Sequence, residues 1–177
     1  MSTGPIESIE VTATLELLLR GVLIGVGGAV VMDVWGLVAR RAFGIKGLDY
    51  ALLGRWIGHV GRGRFFHKGI ASAEPIRGER ALGWIAHYSI GIAFALLLLA
   101  VQGLEWAHAP TLWPALLIGW ATIVAPWLIM QPGMGAGIAA SKTPNPRAAR
   151  LRNVVTHTVY GIGLFATAVA LSAIWPS

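Results

Sequence analysis

Apolar residues in this chain come in long unbroken runs, and the few polar positions that interrupt them are widely spaced. Leu17 to Ala39 is apolar apart from Arg20 and Asp33, and Ala81 to Leu104 holds no Asp, Glu, Lys or Arg. Pro110 to about Gln131 holds none either, the uncharged run continuing to Ser141, and Asn153 to Ser177 is likewise uncharged. Crossing the ~30 Å hydrocarbon core of a bilayer takes about 20 apolar helical residues. A β-barrel would instead need many alternating segments of about ten residues, and runs such as AFALLLLAV do not alternate. The pattern predicts an all-α, polytopic membrane protein. Its four transmembrane helices, near 17–39, 81–104, 110–131 and 153–175, form a single domain over 1–177.

A shorter periodic stretch lies between the first and second spans. Leu48, Leu52, Leu53, Trp56, Ile57 and Val60 recur at helical spacing, with Asp49, Arg55 and His59 outside that stripe. This predicts an amphipathic helix in the membrane interface, followed by GRGRFFHKGI, where Phe65 and Phe66 are candidate interfacial anchors. Two roles fit it: a connector resting on the membrane, or a lid over a site.

Composition agrees with the spans, and charge gives them a direction. The chain is 55% hydrophobic and 12% charged, with a mean hydropathy of +0.66, whereas soluble domains carry about 25% charged residues. So few charges leave too little polar surface to cover a globule in water. Of the 14 Lys and Arg, all but Arg20 fall in the first and third connections. By the positive-inside rule both connections are cytoplasmic and both termini outside. The net charge of +6 and pI near 10.5 therefore express topology and contact with anionic lipid, and not nucleic-acid binding. Met1 to Glu16 carries Glu7, Glu10 and Glu16 and no Lys or Arg, so no cleaved secretory signal is expected. The absence of cysteine excludes disulfides, thiolate metal sites and cysteine nucleophiles.

Ionisable residues inside a span are costly and mark candidate function. Asp33 lies seven residues before Arg40, His87 seven after Arg80 and His157 five after Arg152. At 1.5 Å per residue all three sit roughly 7–11 Å inside the boundary of the basic loops. Gln131 falls near the same layer, which suggests one cluster with a group from each helix. Small residues (Gly83 and Gly91 by His87, Gly161 by His157, Ala29 and Gly36 by Asp33) leave room for backbones to approach. Asn153, His157 and Tyr160 share a face. Such a layer either binds a ligand, ion or proton, or only ties the bundle together by hydrogen bonds.

The third span ends in APWLIMQPGMGAGIAASKTPNPRAAR. Pro126 and Pro132 each remove a helical hydrogen bond, and Gly133, Gly135 and Gly137 favour unwound backbone. Broken helices of this kind occur at transporter binding sites, and equally where a helix kinks and leaves the membrane. Met130 and Met134 are spaced to offer soft ligands to Cu(I) or merely to pack. His87 and His157, at similar depth, suit haem or a quinone headgroup, or hydrogen bonds within the bundle. No HExxH or GxSxG signature is present, and the glycines of GVGGAV lie within a membrane helix. These signs lean away from an enzyme and imply no particular cofactor.

Taken together, VMDVWGL, GLDYALLGRWIGH, GERALGWIAHYSIGIAFA and MQPGMGAGIAASKTPNPRAARL resemble a family of small bacterial four-helix inner-membrane proteins grouped as a domain of unknown function. The resemblance covers roughly residues 19 to 170. It implies a bacterial inner-membrane location, and supplies no activity or catalytic residue. Asp33, Trp35, Asp49, Tyr50, Arg55, Trp56, His59, Glu79, Arg80, His87, Tyr88, Gln131 and Met134 match its pattern. The expected function is binding or translocation of a small solute, ion or proton, by Asp33, His87, Gln131, His157 and Tyr160. Four helices enclose little volume, so a homo-oligomer is expected. The alternatives are an accessory subunit with a structural polar layer, and a redox or metal protein using His87, His157, Met130 and Met134.

Overall fold

The computed structural model describes residues 5–45 and 47–176, with side chains from residue 10 onward. The first four residues, Lys46 of the basic loop and Ser177 lie outside the described residues, as does part of the segment on which the leader expectation rests. The chain folds as α1 (Pro5–Phe43), α2 (Tyr50–Val60), α3 (Glu79–Gln102), α4 (Leu104–His108), α5 (Leu112–Ala121), a π-helical turn (Ala125–Met130), α6 (Gln131–Met134) and α7 (Pro146–Ile174). Single 3₁₀ turns occupy Ile70–Ser72 and Ile138–Ala140. Strands are absent among the described residues. Four segments are long and apolar enough to cross a membrane: Glu10–Phe43, Glu79–Gln102, Leu112–Met134 and Pro146–Ile174.

Local chemistry sets the boundaries. Asp49 caps α2 by accepting from the Ala51 amide at 2.9 Å, and Asn145 caps α7 by accepting from the Ala148 amide at 3.1 Å, with Pro146 at the first helical position. The third span is not one α-helix. Pro126 has no amide to donate, and the ladder widens there, so that Gln131 N–H reaches back five residues to the Pro126 carbonyl. α6 then stops at Gly135 (φ +94°), where Gly135 N–H donates to Pro132 and Ala136 N–H to Gln131. This is the left-handed helix stop that glycine favours. The expected disruption is real, and it takes the form of a π turn and a clean stop.

α1 packs against α3 on one side and α7 on the other, and α7 packs against α5. Each interface is a close backbone approach. A Cβ on Gly25 would sit 2.5 Å from the Ile92 Cα, one on Gly119 2.6 Å from the His157 carbonyl oxygen, and one on Gly163 3.0 Å from the Gly28 Cα. Gly36 differs from expectation, with nothing within 4 Å of its would-be Cβ. Ile24, Leu98, Leu99 and Leu164 are buried between the helices, with Tyr160 and Trp106 beside them. Val34, Leu37, Ile85, Leu97, Leu117 and Val169 point outward.

At the end remote from the basic loops, the connection after α3 folds inward and buries Trp106 and Ala107. Arg20 is wholly buried there. Its Nε pairs with Glu16 at 2.7 Å, an Nη donates to the Trp175 carbonyl, and the guanidinium lies 4.5 Å from the Trp175 ring centroid. Glu16 also bonds His108 Nε2 at 2.8 Å. A buried charge needs partners of this kind, and the partners link α1, α4 and the end of α7.

Candidate functional site

The site forms because α2 folds back onto the start of α3. Gly54 and Gly83 meet there so closely that a Cβ on Gly83 would collide with the Tyr50 carbonyl oxygen, and one on Gly54 with that of Glu79. Arg55 clamps the return loop. Its Nε and Nη2 each donate to a Glu79 carboxylate oxygen at 2.8 Å, and Nη1 reaches the Ala71 and Ala73 carbonyls at 3.1 and 3.2 Å. Glu79 also accepts from the Ile76 amide at 2.9 Å. The bond to Glu79 raises the Arg55 pKa, so the clamp stays charged.

Docking in this way delivers Tyr50, the first residue of α2, to Asp33 on α1. The Tyr50 hydroxyl donates to Asp33 Oδ1 at 2.7 Å, and the Tyr88 hydroxyl on α3 donates to Oδ2 at 3.0 Å. His87 Nε2 lies 3.1 Å from Asp33 Oδ1 and 3.2 Å from the Tyr50 hydroxyl oxygen. Three polar atoms from three helices therefore sit in mutual hydrogen-bonding range. Tyr50 has spent its proton on Asp33, so the His87 nitrogen satisfies the carboxylate by carrying a proton toward it. Rings wall the group: Tyr50 lies 4.5 Å from His87 and 4.3 Å from Trp84, and His87 lies 5.2 Å from Tyr88. Burial first, and then the bond to Asp33, push the Tyr50 phenol well above its ordinary pKa, which keeps it a donor.

The other expected members of the layer have different partners. Thr122 donates its hydroxyl proton to the Gly119 carbonyl at 2.6 Å, which leaves its oxygen to accept from His157 Nδ1, also at 2.6 Å. This joins α7 to α5. Gln131 Nε2 donates to Asn153 at 3.3 Å, while its own Oε1 is buried without a partner. The Tyr160 hydroxyl donates to the Gly91 carbonyl at 2.6 Å, crossing to α3. Among the described residues no hydrogen bond or ring contact links Asp33 or His87 to His157, Gln131 or Tyr160. The expected single cluster is thus an Asp33–His87 site and three separate interhelical bonds. Met130 and Met134 flank Gln131 on the π turn and α6, both half-buried, and the described residues hold no group of three or more His, Cys, Asp or Glu arranged for a metal.

Residues 22–171 match the family described as Protein of unknown function (DUF2938). The chain belongs to this family. The matched segment contains every residue of the Asp33 site and the Arg55–Glu79 clamp, whereas Glu16 and Arg20 at the opposite end precede it. No curated protein and no solved structure matches the chain. Family membership therefore assigns no chemistry, and the geometry has to supply it.

Position along the spans points to Asp33 and His87 but not to Tyr50, Trp84 or Tyr88, of which Tyr50 and Tyr88 enter only through the family resemblance. Tyr50 lies outside every span, and only the docking of α2 brings it in. Tyr88 and Trp84 had a weaker signal, since they adjoin His87 in sequence or follow one another at helical spacing. His59, outside the apolar stripe, is 1% exposed, because the folded loop covers it and its Nε2 meets the Glu74 carbonyl oxygen.

Proposed function

We propose that this is a multi-pass protein of the bacterial inner membrane, its basic loops cytoplasmic, that takes up a proton from the cytoplasmic side at the Asp33–His87 pair. The observation that carries the reading is the triangle of Asp33 Oδ1, Tyr50 Oη and His87 Nε2, with edges of 2.7, 3.1 and 3.2 Å. Asp33 is a carboxylate within an apolar span, and it holds its position by accepting from two phenols and an imidazole. Carboxylate and imidazole together can hold one proton more or one fewer without moving a heavy atom. Tyr50 donates in either state and ties that proton to the seat of α2. The second role considered for the interfacial helix, a lid, fits this arrangement.

Beyond the pair the bundle is closed by Ile24, Leu98, Leu99 and Leu164. The reading is therefore binding and release from one side, and passage across requires the helices to part. A purely structural role also has a specific observation behind it: each Asp33 oxygen is already occupied, and the three donors join α1, α2 and α3.

Proton uptake distinguishes the two. The chain in lipid nanodiscs is acidified in small steps, with a pH-indicator dye reporting protons bound per chain. Wild type is expected to bind about one proton more than Asp33→Asn. Equal uptake in the two, with Asp33→Asn folded but less stable, leaves the structural role.

A further inference from the structure

A pair of histidines, one on α2 and one in the loop after it, lies away from Asp33. His59, near the end of α2, is buried, and its Nε2 lies 3.0 Å from the Glu74 carbonyl oxygen. A carbonyl only accepts, so Nε2 carries the proton and Nδ1 presents a lone pair. That Nδ1 is buried and has no partner. His67 repeats the arrangement with its nitrogens exchanged. Its Nδ1 lies 3.2 Å from the Gly133 carbonyl oxygen, so Nδ1 is protonated, and Nε2 is buried with a free lone pair. The two ring centroids are 4.9 Å apart and the planes are inclined at 61°.

Each feature matches what a metal asks of imidazole. A ligating histidine donates its other ring N–H to a carbonyl or carboxylate, which fixes the tautomer and aims the lone pair. Both histidines are held in this way by main-chain carbonyls. An ion ~2.0–2.1 Å from each nitrogen, with tetrahedral angles, places two ring centroids on the order of 5 Å apart. Two unpartnered lone pairs are otherwise costly to bury. His67 also lines an open cleft of about 590 Å³ with Phe66, Pro132, Ser141, Lys68 and Lys142, which offers access from the side of the basic loops.

We propose that His59 and His67 form a two-histidine binding site for a divalent transition ion of the zinc class, linking α2 and the loop after it. Water or a small anion from the cleft fills the remaining positions, and the lysines there favour an anion. Gly133, whose carbonyl accepts from both the backbone N–H and the ring of His67, connects the site to α6. An ion held here would fix the loop against the end of the third span. The site is independent of Asp33 and His87.

The test is a Zn²⁺ titration of chelator-treated full-length protein in nanodiscs, with a chromophoric chelator as competitor. One ion per chain is expected, bound about tenfold more weakly or worse in His59→Gln and in His67→Gln, and unchanged in His157→Gln. A second measurement needs no variant. In the ¹⁵N spectrum of histidine-labelled wild type, Zn²⁺ should shift His59 Nδ1 and His67 Nε2 and leave their protonated nitrogens in place. No saturable binding, or shifts confined to His87, His108 or His157, overturns the proposal.

Discussion

Asp33 and Tyr50 show how far a single residue can be read in isolation. A carboxylate in an apolar span has so few ways to be satisfied that its partners must be polar groups of neighbouring helices. Asp33 and His87 were legible for that reason. Tyr50 was not, because a tyrosine at the head of a loop helix looks the same in sequence whether it faces water or a buried acid. Its hydroxyl is nevertheless the shortest of the bonds to Asp33. Tyr50→Phe removes that donor and keeps the ring stacked near Trp84 and His87. It should lower stability by about 1.5–3 kcal/mol, the range for a hydrogen bond to a charged group, and free the first turn of α2. Denaturant unfolding in mild detergent, with proteolysis at the α1–α2 connection, measures both. An unchanged midpoint and no new cleavage would show that the bond does not hold α2. The His157–Thr122 and Gln131–Asn153 pairs were invisible for a related reason: depth along a helix is countable from sequence, whereas rotation about its axis is fixed only by packing.

At the scale of elements, run length, periodicity and proline chemistry point to four long apolar helices, a short helix between the first and second, and a disruption at Pro126. The structure has helices long and apolar enough to span, α2 in the first connection and the π turn. What run length could not indicate is that α2 is docked by two glycines meeting across its interface with α3. Gly54 lies within the α2 period and Gly83 was read only as room beside His87, yet together they set how closely Tyr50 approaches Asp33. Gly83→Ala forces main chain apart, because the atom its Cβ would meet is the Tyr50 carbonyl oxygen. The expected cost is at least the ~1–3 kcal/mol of overpacking. It should fall locally: α2 detaches while the α1–α7 and α5–α7 contacts persist. Hydrogen exchange read by mass spectrometry should show faster exchange over 50–60 and unchanged exchange over 153–170. Uniform loss of protection across the bundle would mean that α2 docking is not a separable unit.

Across the whole molecule, polar groups are concentrated at the two ends of an apolar bundle. At one end Arg20, Glu16 and His108 tie α1, α4 and α7 together. At the other, Asp33, His87 and two tyrosines lie beneath the docked α2, with the His59–His67 pair between the end of α2 and the loop after it. The basic excess that first stood out as a high pI lies around this second end. In the proposed function, Asp33 and His87 share a proton whose gain or loss α2 senses through Tyr50. Infrared difference spectroscopy of the protein in lipid tests it most directly, comparing spectra before and after a step to lower pH. A carboxylate or imidazole band should change with the step in wild type, shift in Tyr50→Phe and be absent in Asp33→Asn. Identical difference spectra from wild type and Asp33→Asn would contradict it.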